Sequence, residues 1–491
     1  MKHLPANLTR SIVKNVASQI GGRLLITLSR LLIAILIVRY GSTELFGQYT
    51  LVLSLLFVAE WLVDFGMTDI GVRNICQQPD RKYAILRVLA YLKIPQFVFA
   101  YALLLGFVLL MGYEPVIVRA TLLGGIGLVC YAGAVVYRIL FRVDMCMERD
   151  VAGELAGVLF MMPLIWYASS KGAGVDILVA CYAASRVVFF AVAVVWGGRQ
   201  VRLDTGGLGG NEAKMLIQQA LPLGVAGAMV TVYESTAPVV LSRLMDMQAV
   251  AFYSLAMRFM LPIVIATHSI ARTFFPVLSS YWKKSDSKFH ASQQNALEVS
   301  FLFAGAFLCI FNAAAEFFMG LIGRELGDAA YLLRILSWAI LARAVTAAMY
   351  PLIVISGKQA KVLGLTLLTV LANVTLVLWL VPVYGVVGVA IAFVVIEFVF
   401  SMIPTILISQ HAASVRMNWF PLLKVFLSAV LALACTSALG QTGTFWGGAV
   451  AVLLYFAFAA VTGVFSISKL RRILESTKRS QSGMDSLPGE S

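Results

Sequence analysis

The chain has 491 residues, 60% of them hydrophobic and only 13% charged, with a formal net charge of +14. Its mean hydropathy is +0.89. Soluble chains are about 45–50% apolar and about 25% charged, so this composition excludes a soluble enzyme, a nucleic-acid-binding protein and a disordered linker. The six cysteines are scattered with no CxxC spacing, which suggests neither a disulfide framework nor a zinc site. A polytopic, all-α integral membrane protein remains.

In chain order, apolar runs of about 20 residues with few charges mark membrane helices, because lipid offers backbone groups no other bonding partner. They fall at 15–39, 46–68, 91–112, 115–137, 152–169, 174–198, 215–241, 249–280, 294–320, 328–355, 361–381, 384–409, 421–440 and 446–467, about fourteen in all. The first is too long for the apolar core of a signal peptide and is read as retained. Lys and Arg in the connections set the orientation. With a cytoplasmic N-terminus, 25 basic residues fall in inside segments and four (Arg39, Lys171, Arg243, Arg324) outside. Both ends are therefore expected in the cytoplasm, and the positive charge is topological rather than a nucleic-acid signature. Trp196, Trp282, Trp419 and Trp446 stand at span ends, as an aromatic belt requires. No connection is large enough for a catalytic domain, and no nucleotide, metal or triad motif stands in a supporting context. No catalytic residue, metal ligand or cofactor is expected.

Nine basic residues are left inside the spans: Arg23, Arg30, Lys93, Arg119, Arg186, Arg258, Arg272, Arg334 and Arg343. The acids at comparable depth are Glu60, Asp64, Glu154, Glu234, Glu316 and Glu397. A charge at a helix centre costs at least about 2.5–3.5 kcal/mol, so these residues are expected to face a bundle interior or a watery cavity. Gln19, Arg23, Thr27 and Arg30 share one face of the first span. Arg258 and Arg272 lie about 40° apart in phase on the eighth. Arg334 and Arg343 point about 180° apart, so they cannot share a cavity. Lys93 and Arg119 lie near span ends and are expected to snorkel; Glu154 and Glu316 are also read as terminal. Arg23, Arg30, Arg258 and Arg272 are the leading candidates for a substrate cavity, with Arg186 and Arg343 beside them. Ion pairing with Glu60, Asp64 or Glu234 is the structural alternative, but cations outnumber the acids. Guanidinium forks in a low-dielectric cavity suit phosphate. Glu60, Asp64, Glu234 and Glu397 are candidates for ion coupling.

A weak internal repeat aligns RYGSTELFGQYT (39–50) with RLMDMQAVAFYS (243–254), matching Arg39 with Arg243 and Tyr49 with Tyr253. The segment follows span one in the first copy and span seven in the second. This predicts two six-helix lobes, 1–198 and 215–409, joined by a cytoplasmic linker at 199–214. Two further helices (410–467) and a basic, polar tail (468–491) follow.

Three stretches carry a resemblance. GSTELFGQYTLVLSLLFVAEWLVDFGMTDIGVR (41–73) holds an FGxY turn (Phe46 to Tyr49) and a DFG at the end of span two (Asp64 to Gly66). AFYSLAMRF (251–259) holds a Y-x-x-A-x-R element with Arg258 in the basic place. NVTLVLWLVPVYGVVGVAIAFVVIE (373–397) holds a P-x-Y-G-x-x-G signature, with Val389 where Ala is common. Together they resemble the bacterial polysaccharide transporters, the Wzx-type oligosaccharide flippases of the multidrug/oligosaccharidyl-lipid/polysaccharide (MOP) exporter superfamily. The resemblance implies a two-lobe exporter in the bacterial inner membrane. It would move an undecaprenyl-pyrophosphate-linked oligosaccharide to the periplasmic leaflet by alternating access, with a polysaccharide polymerase and a chain-length regulator as partners. Related lipid II flippases place arginines in spans one and eight, as Arg23, Arg30 and Arg258 are placed here. The alternatives are a cation-coupled multidrug exporter or a lipid II-type flippase of the same superfamily, or a membrane glycan polymerase or ligase.

Overall fold

The computed structural model describes residues 6–198, 210–282, 285–358, 360–413 and 417–463. Most of the linker at 199–214 and the whole tail at 468–491 lie outside the described residues. Among the described residues there is no strand. Among the same described residues, thirteen helical stretches of 19–35 residues are long and apolar enough to cross a membrane. A fourteenth, Phe445–Val461, has 17 residues, the lower end of what about 30 Å of hydrocarbon requires. Trp196, Trp419 and Trp446 are exposed, in keeping with a belt position.

The helices group into two compact units, one within residues 4–254 and one within residues 255–491. The first holds α1 (Ala6–Tyr40), α2 (Thr43–Asp64), α3 (Met67–Gln77), α4 (Lys82–Leu110), α5 (Pro115–Val143), α6 (Met147–Ser170), α7 (Val175–Gly197), α8 (Gly210–Leu244) and the first turns of α9 (Met247–Tyr281). Here α7 packs on α5 and α6, α6 on α1, and α2 on α4, α5 and α8. By packing, α8 therefore groups with the helices before it, whereas the repeat-based division of the sequence starts the second lobe at 215.

The DFG of the sequence is the break between α2 and α3. Phe65 (φ 43°) and Gly66 (φ 73°) both adopt the left-handed conformation, which ends α2 with orphan carbonyls. Lys93 on α4 donates to two of them, Val63 O at 2.8 Å and Asp64 O at 3.4 Å. Its Nζ also lies 3.8 Å from the Asp64 carboxylate. Lys93 is thus buried and does not snorkel: unmet carbonyls at a helix end offer an ammonium more than a headgroup does. The break is wedged against α8. Trp61 Nε1 donates to Gly224 O at 3.0 Å, and a Cβ on Gly227 would stand 1.7 Å from the Trp61 ring. Only a glycine lets the indole lie on that backbone.

The second unit continues α9 and adds α10 (Asp286–Ala313), α11 (Ala315–Ile322), α12 (Ala330–Ser337), α13 (Ala339–Ile355), α14 (Ala360–Tyr384), α15 (Val386–Val395), a π-helical segment (Ile396–Met402), α16 (Ile403–Ala413), α17 (Phe420–Ala438) and α18 (Phe445–Val461). The P-x-Y-G-x-x-G element forms the α14–α15 corner, where Gly385 takes φ 59° and ψ −139°, a conformation closed to side chains with a Cβ. The two added helices α17 and α18 lie against α10. There the Tyr455 hydroxyl donates to Leu302 O at 2.9 Å.

The repeat extends beyond its two identities. α1 ends at Tyr40 and α8 at Leu244; α2 begins at Thr43 and α9 at Met247; α3 ends at Gln77 and α9 at Tyr281. The offset is 204 residues each time. The caps repeat as well: Ser42 Oγ accepts from Leu45 N at 3.0 Å, and Asp246 Oδ1 from Ala249 N at 2.7 Å. Tyr49 and Tyr253, matched in the sequence, are both buried.

Candidate functional site

Inside the first unit, charged side chains from five helices converge. On α1, Thr27 Oγ1 bonds back to Arg23 O at 2.7 Å, as one helix face requires. Arg23 is exposed and Arg30 half-buried on that helix. Arg30 Nη2 donates to Glu154 Oε1 on α6 at 2.9 Å, and its guanidinium stands 5.8 Å from the Phe57 ring centre. Glu154 is therefore a member of the cluster rather than a residue at a span end.

Deeper in the unit, Glu60 of α2 meets Arg186 of α7. Arg186 Nη2 donates to both carboxylate oxygens at 2.7–2.8 Å, and Arg186 Nε donates to the Tyr182 hydroxyl at 2.9 Å. That hydroxyl in turn donates to Glu60 Oε1 at 2.5 Å. The guanidinium also lies over the Tyr131 and Tyr182 rings, at 5.3 and 5.0 Å from their centres. All three polar residues of this triad are buried. Arg138 counted as a loop charge in the sequence; it lies on α5, which runs on to Val143. Its Nε donates to Asp150 at 3.0 and 3.1 Å. Asp64, one turn from Glu60, accepts from the Thr68 hydroxyl and stands by Lys93. Glu234 is exposed on α8.

In the second unit, Arg343 of α13 donates to Glu397 Oε1 through Nε at 3.0 Å and Nη2 at 2.8 Å, and lies 5.2 Å from the Phe393 ring centre. Glu397 is the second residue of the π-helical segment, and its carboxylate is enclosed. π turns leave misaligned carbonyls, and Thr369 Oγ1 reaches one of them, Phe400 O, at 3.2 Å. Arg334 pairs instead with Glu316, so Arg334 and Arg343 do diverge, helped by the break between α12 and α13 at Trp338. Glu316 is likewise held in a pair. On α9, Arg258 is half-buried and Arg272 exposed. Arg272, Arg343 and Glu397 all lie within electrostatic reach of His268.

Of the six arginines singled out in the sequence, Arg23 and Arg30 share α1, Arg258 and Arg272 share α9, and Arg186 and Arg343 each hold a buried acid. Sequence reasoning missed Tyr131, Tyr182, Arg138, Asp150 and His268. His268 carried a legible signal, one helical turn before Arg272. The tyrosines carried none, since an aromatic in a membrane helix is ordinarily packing.

The fold resembles that of lipid II flippase MurJ in an inward closed conformation, with a TM-score of 0.76 at 11% identity over 92% of this chain and 98% of that one. An inward-facing multidrug resistance MATE transporter of the MOP superfamily gives 0.62 at 15% identity, over 79% and 95%. A MOP superfamily transporter from Pyrococcus furiosus, described as having a binding pocket of reverse polarity, gives 0.59 at 16%, over 82% and 96%. Among curated proteins none matches. The architecture is that of the MOP transporters and flippases. Residues 12–282 match the profile of the polysaccharide biosynthesis protein family, and the chain belongs to that family.

Proposed function

We propose that the protein is a flippase for undecaprenyl-pyrophosphate-linked oligosaccharide repeat units, destined for O-antigen, capsule or exopolysaccharide. It carries them from the cytoplasmic to the periplasmic leaflet of the bacterial inner membrane by alternating access, with both termini cytoplasmic. A pyrophosphate and its sugars cannot cross hydrocarbon bare, because each unpaired polar group there costs several kcal/mol. The observation that carries the reading is the pair of arginines on α1, Arg23 exposed and Arg30 half-buried, on a helix otherwise suited to the bilayer. In the first unit Arg30 is the candidate for binding the pyrophosphate and Arg23 for guiding it from the inner leaflet; in the second, Arg258 and Arg272 are the corresponding candidates. Arg186 and Arg343 are each engaged with an acid, so the charge of each is largely neutralised at rest. The lipid tail stays in the bilayer, so the protein handles only the polar head. Glu60, Asp64, Glu234 and Glu397 are the candidates through which protons or ions bias the two access states. A polysaccharide polymerase and a chain-length regulator receive the product.

The family supports the polysaccharide assignment, and the excess of guanidinium groups favours an anionic cargo over the cations of a drug exporter. Arg30→Ala and Arg258→Ala should each abolish export of the repeat unit while the protein still reaches the membrane, read as surface glycan against membrane protein level. Full surface glycan in both variants would overturn the assignment.

A further inference from the structure

The α2–α3 break holds a charge that the proposed transport does not use. Lys93 is 4% exposed, and an ammonium enclosed in this way must be satisfied by the protein itself. Three oxygens of the break surround it: Val63 O at 2.8 Å, Asp64 O at 3.4 Å and Asp64 Oδ1 at 3.8 Å. The backbone carbonyls are nearer than the carboxylate, and Oδ1 also accepts from the Thr68 hydroxyl. Carbonyls at the negative end of a helix dipole, with a carboxylate oxygen beside them, form a donor set for a monovalent cation. The ammonium sits in that cradle rather than in a simple pair with Asp64.

The repeat supplies an internal comparison. Its 204-residue offset also relates the starts of α4 at Lys82 and α10 at Asp286. It carries Asp64, Phe65 and Gly66 onto His268, Ser269 and Ile270, and Lys93 onto Leu297. In the second copy α9 runs through this place as one helix, Met247–Tyr281, and Leu297 is a buried apolar residue of α10. Break, acid and ammonium are present together in one copy and replaced together in the other. A lysine that served only the packing of α4 would have no reason to follow the break.

We propose that the α2–α3 break is a binding site for a primary ammonium, occupied in the native chain by Lys93 as a tethered ligand. Lys93 is a positioning residue. By filling the cradle it fixes the joint at which Trp61 bonds to Gly224 O and Gly66 lies so close to α8 that a Cβ there would stand 2.9 Å from Leu223 Cβ. An external cation reaches Asp64 only in competition with this resident one. The site stands apart from the cargo, so its failure would leave the flippase reading untouched.

The test is thermal unfolding of the full-length, detergent-purified protein in ethylammonium chloride, with choline chloride holding the ionic strength constant. Lys93→Ala empties the cradle and should lower Tm by several degrees. Ethylammonium should then raise Tm with concentration, as a ligand of the folded state does, while leaving wild type unmoved. Choline has the same charge but no N–H to donate and should not restore it. Lys93→Met fills the space with an apolar chain and should stay low at every ethylammonium concentration. Rescue by a small amine is a readout that a merely structural lysine would not give. Wild-type Tm in Lys93→Ala, or a lowered Tm that ethylammonium does not raise, would overturn the site. Should Lys93→Ala fail to fold, Asp64→Asn decides, because it leaves both carbonyls in place. It should cost less Tm than Lys93→Met, and the double variant should stay as low as Lys93→Met. Equal losses in the two single variants, with recovery in the double, would make Lys93 and Asp64 an ordinary ion pair and overturn the proposal.

Discussion

Glu60 and Arg186 lie 126 residues apart in the chain and share a site from which water is excluded. Withdrawing two charges from water costs several kcal/mol per ion, and their attraction offsets this only when the geometry and the remaining hydrogen bonds are good. Here Tyr182 supplies the extra bonds. Glu60→Gln or Arg186→Met alone should therefore destabilise the protein by about 3–5 kcal/mol, and the double substitution by much less. Thermal unfolding of the detergent-purified variants checks this. Additive losses in the double variant would mean that the two charges are not coupled. Each residue was visible in the sequence as an intramembrane charge, but their partnership was not. Helical phase reports the face a residue occupies and carries nothing about which helix stands opposite. Lys93 shows the same limit. Its place near a span end pointed to the headgroups, and only the left-handed break at Phe65 and Gly66 supplies the carbonyls that hold it.

At the scale of helices, hydropathy read well what it averages over. The spans stand where the apolar runs predicted them, with the last of them, 446–467, appearing as a helix over Phe445–Val461. Breaks inside a span are invisible to such an average, because it registers composition and not backbone geometry: the break at Trp338 and the π-helical turn at Ile396–Met402 both fall within long apolar runs. The 204-residue repeat was faint in residue identities because only the capping chemistry needs to be kept. Ser42 and Asp246 differ as side chains, yet both present an oxygen to the amide three residues on. Ser42→Ala and Asp246→Ala should each cost about 0.5–2 kcal/mol, seen as a lower Tm and as faster hydrogen exchange confined to the first turns of α2 and α9. A loss at one cap and none at the other would show that the two junctions are not mechanically equivalent.

Across the whole molecule the repeat preserves shape and discards charge. The offset that relates the helix ends carries Arg30 onto Glu234. The repeated helix ends thus carry unlike charges in the two copies, so the shared helix plan is not what requires an arginine at position 30. The coarse identity was legible because composition, loop charge and the FGxY, DFG and P-x-Y-G-x-x-G elements all report backbone geometry that the fold requires. The cargo was less so, since none of those elements reports on what the protein carries.

The central claim is that this protein carries lipid-linked repeat units across the membrane. The most direct measurement is extraction of lipid-linked oligosaccharides from cells lacking the protein, with the initiating glycosyltransferase intact. A complete single repeat unit should accumulate on the cytoplasmic leaflet and clear when the wild-type protein, but not Arg30→Ala, is restored. Normal surface glycan without any accumulation would contradict the account.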